Sequence, residues 1–399
     1  MNLSRLTRFV QDCDTKLQRW RAPDFRRVLV YVRAPMNFIV MAPVYRRMAN
    51  DARVKFFFTA SEDASREADV FREAEEGLAV IKPSETKLMK FDACLAADFI
   101  WLTLPRGTRR VQMFHGVAGK YANVYDTPEQ SVRGWDRLFF INRRRLQNFI
   151  RVGAIDADSR AARLVGMPKV DCLVDGSLSR NAVLEKLGID PQRKVILYAP
   201  TWSAHSSLVT MGQELVERLV SAGYAVIVKL HDRSHDPEEA NSGGVNWVAR
   251  LGPLLQQSGG HLATGSDSCP YLAAADVMIT DHSSIGFEYL LLDRPLVRIE
   301  VPSLLKEANV NPEYIALLAD ASLSVRTVSE TLAAVERSLT EPGWKSETRR
   351  VVASDLFHSP GNATALAVKE LYELLELPSL KGISGQIHGA EPPNCAVLS

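Results

Sequence analysis

Short runs of β-branched and aromatic residues alternate with longer amphipathic stretches along most of the chain, beginning near Arg26. Most of the short runs are apolar at every position, as is typical of strands buried on both faces of a parallel sheet. The longer stretches repeat apolar residues at three- and four-residue spacing, which predicts helices, for example at Met211–Ala222 and Ser329–Leu339. The predicted strands are Val28–Val32, Val54–Phe58, Phe99–Leu102, Val111–Phe114, Leu138–Ile141, Val195–Ala199, Ala225–Leu230, Val277–Thr280 and Leu296–Ile299. This alternation predicts an α/β protein with doubly wound sheets.

The pattern divides into two halves. Gly188 and Pro191 are helix-stop signals, and the buried-strand run VILYA follows them directly. We therefore predict one α/β domain at 25–178 and a second at 179–350. A helix is expected within 351–376, and the segment 377–399 is expected to be a flexible tail because it is rich in Gly, Pro and Ser.

Residues 1–24 predict a basic helix, in which apolar residues such as Leu6, Phe9 and Trp20 are interleaved with arginines and a lysine. Such a helix either packs on its domain as an ordinary surface helix or makes weak contact with a membrane surface. Both alternatives fit the sequence.

Composition narrows the class of protein. The 399 residues are 46% hydrophobic and 24% charged, which excludes a largely disordered chain. Lys and Arg number 48 against 47 Asp and Glu, and a net charge of +1 argues against a nucleic-acid partner. Five scattered cysteines exclude a disulfide framework and fit a reducing compartment. No signal-peptide pattern or apolar run of bilayer length is present, so we expect a cytoplasmic protein.

Ligands of open α/β sheets bind at the carboxyl ends of the strands, so the polar residues that follow the apolar runs are candidate site residues. His115 and Gly116 follow one such run. The histidine can act as a general base, or it can be a turn residue bonded to the backbone. Pro200 and Thr201 follow a second run, next to Trp202, and provide either phosphate donors with an aromatic wall or an ordinary strand end.

Two further strand ends carry polar residues. Lys229 and His231, with further cations just beyond, form either an anion site or a solvated loop neutralised by nearby aspartates. Asp281 is followed by Ser283 and Ser284, at the start of a predicted helix. The serines form either a phosphate cradle or an ordinary N-cap. One turn later stands Glu288, within predicted reach of a ribose.

The order of these motifs is more specific than any one of them. The series FHG, LYAPTW, KLH and TDHSS with FEYLLLDRP resembles the CDP-glycerol glycerophosphotransferase family of teichoic-acid primases and polymerases. The resemblance spans Val111 to Pro295, and the segment GNATALAVKEL resembles the closing helix of that family. It implies a GT-B fold, in which two Rossmann-like domains face a central cleft and the second holds most of the donor nucleotide. The final helix is implied to cross back onto the first domain.

The resemblance also implies a function. His115 is implied to be the catalytic base, and His231 a catalytic group beside the donor phosphates. Asp281, Ser283 and Ser284 are implied to surround the diphosphate and glycerol phosphate. The implied reaction moves a glycerol-phosphate unit from CDP-glycerol to an acceptor hydroxyl, with release of CMP, in cell-envelope polymer synthesis. Acceptors of such pathways are often lipid-linked, which suggests peripheral contact with the inner face of the membrane.

The sequence departs from the family motifs at five positions. Val117 stands in place of Thr, Ser203 of Arg, Asp232 of Pro, His282 of Tyr and Glu288 of Asp. A GT-B glycosyltransferase that uses a nucleotide sugar, or a non-catalytic nucleotide-binding homologue, would carry the same strand-end pattern. A non-catalytic homologue needs neither His115 nor His231, so their presence favours an enzyme. No cofactor is implied, and no acidic pair or ligand cluster requires a metal.

Overall fold

The computed structural model describes residues 3–60, 70–98, 103–117 and 132–379, which divide into two compact units. The first unit contains the described residues up to His115, residues 132–171 and the segment from Phe357 onward. The second unit contains Gly116, Val117 and the stretch from Cys172 to Leu356. Among the described residues, no helix is both long and apolar enough to cross a bilayer.

The first unit is built on six parallel strands. They are β1 (Arg26–Val32), β2 (Val54–Ala60), β3 (Ala93–Ala96), β4 (Arg109–Met113), β5 (Arg137–Phe140) and β6 (Ala162–Leu164). Their order in the sheet is β2-β1-β3-β4-β5-β6. β2 therefore lies on one side of β1, and β3 to β6 follow in order on its other side. The direction in which strands are added changes between β1 and β3, and this position is called the switch.

The second unit repeats this design. Its parallel strands are β7 (Val195–Tyr198), β8 (Ala225–Lys229), β9 (His261–Ala263), β10 (Val277–Thr280), β11 (Leu296–Ile299) and β12 (Leu323–Val325). They lie in the order β12-β11-β10-β7-β8-β9, with the switch between β7 and β10. The prediction of two doubly wound α/β domains is confirmed.

Helices connect and cover the strands. In chain order they are α1 (Leu3–Arg21), α2 (Pro35–Met48), α3 (Arg143–Arg151), α4 (Arg180–Lys186), α5 (Gln213–Ser221), α6 (Glu239–Ser242), α7 (Trp247–Gln257), α8 (Cys269–Ala274), α9 (Ile285–Leu290), α10 (Pro302–Glu307), α11 (Pro312–Asp320), α12 (Val328–Thr340), α13 (Ser346–Leu356) and α14 (Ala363–Leu374). In the first unit, α2 and α14 pack on strand side chains such as Val30 and Phe58. In the second, α5 and α7 pack on Ile196 and Val228.

The start of α14 is capped from a distant part of the first unit. The Asp171 carboxylate accepts hydrogen bonds from the backbone N–H groups of Gly361, Ala363 and Thr364, at 2.8, 3.2 and 2.7 Å. Asn362, at the N-cap position, makes no side-chain cap bond of its own. Asp171 therefore satisfies backbone donors that the local sequence leaves open.

A second polar contact fixes the same helix nearer its end. The Tyr372 hydroxyl donates to the buried carboxylate of Asp51 at 2.9 Å. Asp51 also accepts from the Arg53 guanidinium at 2.7 Å. The Arg53 guanidinium holds the pKa of Asp51 below its usual range, so the carboxylate is ionised and charge-assisted.

Eight of the predicted strands are confirmed, and Phe99–Leu102 lies outside the described residues. The sequence did not predict β3, β6, β9 and β12. The last three are three-residue strands at the outer edges of their sheets and are largely half-buried, so they lack a continuous apolar run. Most of the predicted tail lies outside the described residues, although Leu377, at its start, is buried against the first core.

Candidate functional site

Three of the predicted motifs meet at one edge of the second sheet. β10, β7 and β8 are neighbours, so the loops that follow them leave the sheet side by side. These loops carry Asp281, Thr201 and His231 in that order. The edge includes the switch between β7 and β10, where open α/β sheets bind ligands.

Asp281 holds two of these loops together from inside. Its carboxylate accepts from the backbone N–H of Thr201 at 2.8 Å, of Ser207 at 3.1 Å and of His282 at 2.6 Å. It also accepts from the Ser207 hydroxyl at 2.9 Å. Because the side chain is fully buried and four protein donors surround it, Asp281 braces the β7 loop against the β10 loop. Direct contact with phosphate stays a prediction.

A buried hydroxyl chain extends this brace. The single proton of the Ser207 hydroxyl is donated to Asp281, so the Tyr198 hydroxyl donates to the Ser207 oxygen, 2.9 Å away. Burial, and then the charge of Asp281, raise the pKa of Tyr198 well above its usual range. Tyr198 therefore remains a proton donor within this network.

The β7 loop itself is tightly folded. Pro200 and Thr201 are buried, whereas Trp202 is half-buried. The Ser203 hydroxyl accepts from the backbone N–H of His205 at 3.0 Å, which stabilises a local turn. Thr201 therefore contributes its backbone N–H to the Asp281 brace, and its predicted role in donor binding stays a prediction.

His231 follows β8 and is exposed. Its Nδ1 accepts from the backbone N–H of Arg233 at 3.2 Å, so the proton of the neutral ring resides on Nε2. An imidazole in this tautomer presents a donor toward its surroundings. Lys229, by contrast, is nearly buried, and its ammonium donates to the Leu230 carbonyl at 2.5 Å.

The serines after β10 are arranged differently from an ordinary cap. Ser284 stands at the N-cap position of α9, but its hydroxyl makes no cap bond. Within the described chain, neither Ser283 nor Ser284 has a side-chain hydrogen bond. The N-cap alternative is therefore wrong for these hydroxyls. Glu288, predicted to reach a ribose, is 5% exposed and accepts from the Ser268 hydroxyl at 3.0 Å.

The first unit carries the other predicted catalytic residue. The ring of His115 is 44% exposed, and Nδ1 donates to the Ala97 carbonyl at 2.9 Å. A carboxylate oxygen of Asp98 lies 3.4 Å from the same nitrogen. Because a carbonyl oxygen can only accept, Nδ1 holds the proton and Nε2 is left as the basic nitrogen. Gly116, the next residue, is half-buried.

Asp98 is a site residue that the sequence did not predict. It follows β3 closely, just as His115 follows β4, and these strands are neighbours. A strand at Phe99–Leu102 would place Asp98 before an apolar run instead of after one. The run ACLAA, which is apolar and ends at this aspartate, was the available signal. Across the part of the chain that the structure describes, no group of three or more His, Cys, Asp or Glu could hold a metal ion.

A family model described as CDP-Glycerol:Poly(glycerophosphate) glycerophosphotransferase matches residues 41–301, more than half of the chain. The chain belongs to this family. The matched region includes His115, His231 and Asp281, so the resemblance carried by the strand-end motifs is confirmed.

Curated relatives agree with the family. A teichoic acid glycerol-phosphate primase from Bacillus spizizenii is 25% identical over 135 residues, covering 33% of this chain and 32% of the relative. A teichoic acid poly(glycerol phosphate) polymerase from the same organism is 25% identical over 223 residues, covering 50% and 53%. The chain thus matches about a third and about half of the length of these two relatives.

Solved structures agree on the fold. The wall teichoic acid polymerase TagF superposes with a TM-score of 0.65 at 14% identity, covering 94% of this chain and 98% of that one. A UDP-N-acetylglucosamine 2-epimerase superposes with a TM-score of 0.56 at 14% identity, covering 92% and 99%. These likenesses confirm the predicted GT-B fold class.

Proposed function

We propose that this protein transfers a glycerol-phosphate unit from CDP-glycerol to an acceptor hydroxyl and releases CMP, in the synthesis of a cell-envelope polymer. Membership of the family supports the reaction class. The observation that carries the proposal is the convergence of the β10, β7 and β8 loops at one sheet edge. These loops bear the motifs TDHSS, LYAPTW and KLH, which resemble those of the family. A variant of TagF that was soaked with CDPG supports the choice of donor.

In this reaction His115 is the general base. Its Nε2 removes the proton from the acceptor hydroxyl as the oxygen attacks the β-phosphorus of the donor. The bond between that phosphorus and the bridging oxygen breaks, and the electron pair leaves with CMP. The Ala97 carbonyl and the Asp98 carboxylate stabilise the imidazolium that forms, because both lie on the Nδ1 side of the ring.

The second unit provides the donor site. His231 donates from Nε2 to a phosphate oxygen, and the hydroxyls of Ser283 and Ser284 donate to the same diphosphate. These groups are preorganised in two ways. Asp281 ties the loop that bears the serines to the β7 loop, and the backbone N–H of Arg233 holds the ring of His231 at Nδ1. Fixed donors of this kind stabilise developing negative charge more than mobile water does.

An assay of the purified chain tests this function. CDP-glycerol with a soluble glycerol-phosphate acceptor should give acceptor-dependent release of CMP and an acceptor longer by one unit. His115→Ala, which removes the base, is the matched negative control. Release of UDP from a nucleotide sugar in place of CMP would support the sugar-transferase alternative. Binding of CDP-glycerol without turnover under any acceptor tested would support the non-catalytic one.

The N-terminal helix supplies a feature that bears on the acceptor. Gln11, Asp14 and Gln18 of α1, which share one helix face, bond to Lys87, Arg27 and Phe25 of the first unit. The apolar side chains lie on the opposite face and are exposed, with Trp20 at 78%. The exposed apolar residues are Leu6, Phe9, Val10, Leu17 and Trp20. These side chains form an apolar stripe that is open to solvent, while polar contacts attach α1 to the first unit.

We further propose that this stripe contacts an anionic membrane surface, where a lipid-linked acceptor would be met. Arg8, Lys16 and Arg19 flank the stripe, and each basic residue near an anionic leaflet contributes about 1 kcal/mol, which salt weakens. Deleting residues 1–22 should abolish sedimentation with phosphatidylglycerol vesicles at low salt and leave turnover on a soluble acceptor unchanged. Trp20→Ser with Phe9→Ser should give the same loss. Sedimentation that persists in both variants would refute this role for α1.

A further inference from the structure

Arg233 and Trp202 form a cation–π pair at the strand-end edge of the second sheet. The guanidinium carbon of Arg233 lies 4.3 Å from the centroid of the Trp202 ring. Arg233 is exposed, and within the described residues no carboxylate forms an ion pair with it. Its charge is therefore fixed in place by an aromatic ring and remains open to an anion from solution.

The neighbouring carboxylate is engaged elsewhere. Asp232 accepts from the Ser266 hydroxyl at 2.7 Å, which ties it to the segment after β9. The backbone N–H of Arg233 donates to Nδ1 of His231, so the guanidinium and the imidazole are displayed from one short turn. The His231 ring lies 6.0 Å from Trp202. Arg233 and His231 thus present two donors around the same indole.

This arrangement fits a diphosphate. A guanidinium is a planar fork that binds two oxygens of one phosphate, and the cation–π contact with the indole restricts where that fork lies. A single imidazole N–H can bond only one oxygen, which leaves the charge of a second phosphate unmatched. We propose that Arg233, positioned by Trp202, binds the diphosphate of the nucleotide donor beside His231. The inference rests on the proposed function, since it takes a nucleoside diphosphate as the ligand.

Trp202 is a positioning residue in this proposal. It holds the guanidinium by cation–π contact and touches the ligand through Arg233 only. Loss of Trp202 should therefore weaken nucleotide binding when Arg233 is present and have no further effect when it is absent. If the indole instead stacked on the base of the nucleotide, loss of Trp202 would weaken nucleotide binding equally with and without Arg233.

Calorimetric titration of the full chain with CDP and with UDP tests the proposal. Arg233→Gln should weaken CDP binding roughly ten- to a hundredfold, the range that corresponds to a charge-assisted hydrogen bond. Arg233→Lys should recover only part of this, because an ammonium lacks the fork. Arg250→Gln is the matched control, since Arg250 lies over Trp247 at 5.6 Å in the same unit but on α7. It should leave the affinity unchanged.

Each outcome decides one point. An affinity for CDP that Arg233→Gln leaves within about twofold overturns the proposal, and so does a loss accompanied by a lower urea midpoint of unfolding. If the wild-type protein binds UDP and not CDP, the assignment of CDP-glycerol as donor fails. The role of Arg233 is then tested by comparing the UDP affinities of the wild-type and Arg233→Gln proteins. A wild-type protein that binds neither nucleotide overturns both. Equal losses from Trp202→Leu in the wild-type and Arg233→Gln backgrounds refute the positioning role of Trp202.

Discussion

The two sheets share a topology but differ in how their strand ends are held. At the edge of the second sheet, a fully buried Asp281 collects four donors and ties neighbouring loops together. At the edge of the first sheet, His115 is exposed and is oriented by a bond to a backbone carbonyl, with Asp98 close by. Within the described residues, one edge is braced by buried hydrogen bonds, and the other displays the exposed ring of His115.

This difference fits the roles that the proposed function gives to the two units. In that proposal the second unit binds a diphosphate, which demands several fixed donors in one geometry, and the buried charge of Asp281 holds two of its loops in place. The first unit removes a proton, which demands one nitrogen in the correct tautomer, and the bond from Nδ1 to the Ala97 carbonyl selects that tautomer for His115. Substitutions at the two edges should therefore fail in different ways.

The largest effect is expected on turnover. His115→Ala removes the proposed base and should reduce turnover by roughly 10²- to 10⁴-fold, the usual contribution of general base catalysis. Affinity for CDP and the urea midpoint should be unchanged, because in the proposed mechanism His115 acts on the acceptor and its side chain is 44% exposed. Near-normal turnover in a folded variant would remove His115 from the mechanism and would erase the contrast between the two edges.

The next largest effect is expected on stability. Asp281→Asn leaves buried N–H and hydroxyl donors without a proper acceptor and should lower the free energy of unfolding by about 2–4 kcal/mol. Affinity for CDP should fall with it. Asp276→Asn is a matched control, because Asp276 accepts from the Val195 N–H and from Arg180 at the start of β7 instead of its end. It should lower stability alone, and an equal loss of CDP affinity would contradict the bracing role of Asp281.

Unlike Asp281, the serines after β10 should affect the affinity for CDP without affecting stability. Replacing Ser283 and Ser284 together with Ala should weaken CDP binding by about 1–3 kcal/mol and leave the urea midpoint unchanged, since neither hydroxyl caps α9. Ser329→Ala, at the start of α12, is the control for a serine near a helix start in the same unit. Unchanged affinity in calorimetry would remove the two hydroxyls from the donor site.

A smaller effect concerns the first unit and depends on pH. Asp51→Asn should lower the free energy of unfolding by about 1–3 kcal/mol at pH 7, where the bonds from Arg53 and Tyr372 are charge-assisted. Because the pKa of Asp51 is lowered in the folded state, its contribution is complete above the unfolded value of about 3.9 and is lost as the pH falls through the folded value.

Urea denaturation of the wild-type and Asp51→Asn proteins at pH 7 and pH 3 measures this difference. The difference in free energy of unfolding between the two proteins, here called the gap, should be smaller at pH 3 than at pH 7. Asp158→Asn, at an exposed carboxylate of the same unit, should show no gap at either pH. A gap that stays constant with pH would mean that the carboxylate acts by packing and not by charge.

The sequence predicted the strand ends well because the central strands of a parallel sheet are buried on both faces and are visible as unbroken apolar runs. His115, His231 and Asp281 all follow such runs directly or closely. Edge strands such as β9 and β12 are largely half-buried, and their sequences mix polar and apolar residues. No continuous apolar run therefore marks them in the sequence. Asp98 was missed because the prediction placed a strand after it, at Phe99–Leu102, and did not recognise β3 before it.

Burial could not be predicted in the same way. Asp281, Lys229 and Glu288 were each expected to contact a ligand, and all three are enclosed by protein. Sequence pattern places a residue at the end of a strand, but whether its side chain turns outward or beneath a neighbouring loop depends on residues far along the chain. Ser207, which completes the Asp281 brace, lies 74 residues away.

The capping of α14 by Asp171 has a consequence for biosynthesis. A ribosome makes Asp171 about 190 residues before the helix that it caps, and the stretch Cys172–Leu356 of the second unit is translated in between. Val368, Leu371 and Tyr372 complete the apolar interior of the first unit, so that interior stays open to solvent until α14 has been made. The nascent first unit therefore keeps apolar side chains exposed while most of the second unit is being made. A minimal version of it has to join residues 357–379 directly to the segment that ends at Asp171.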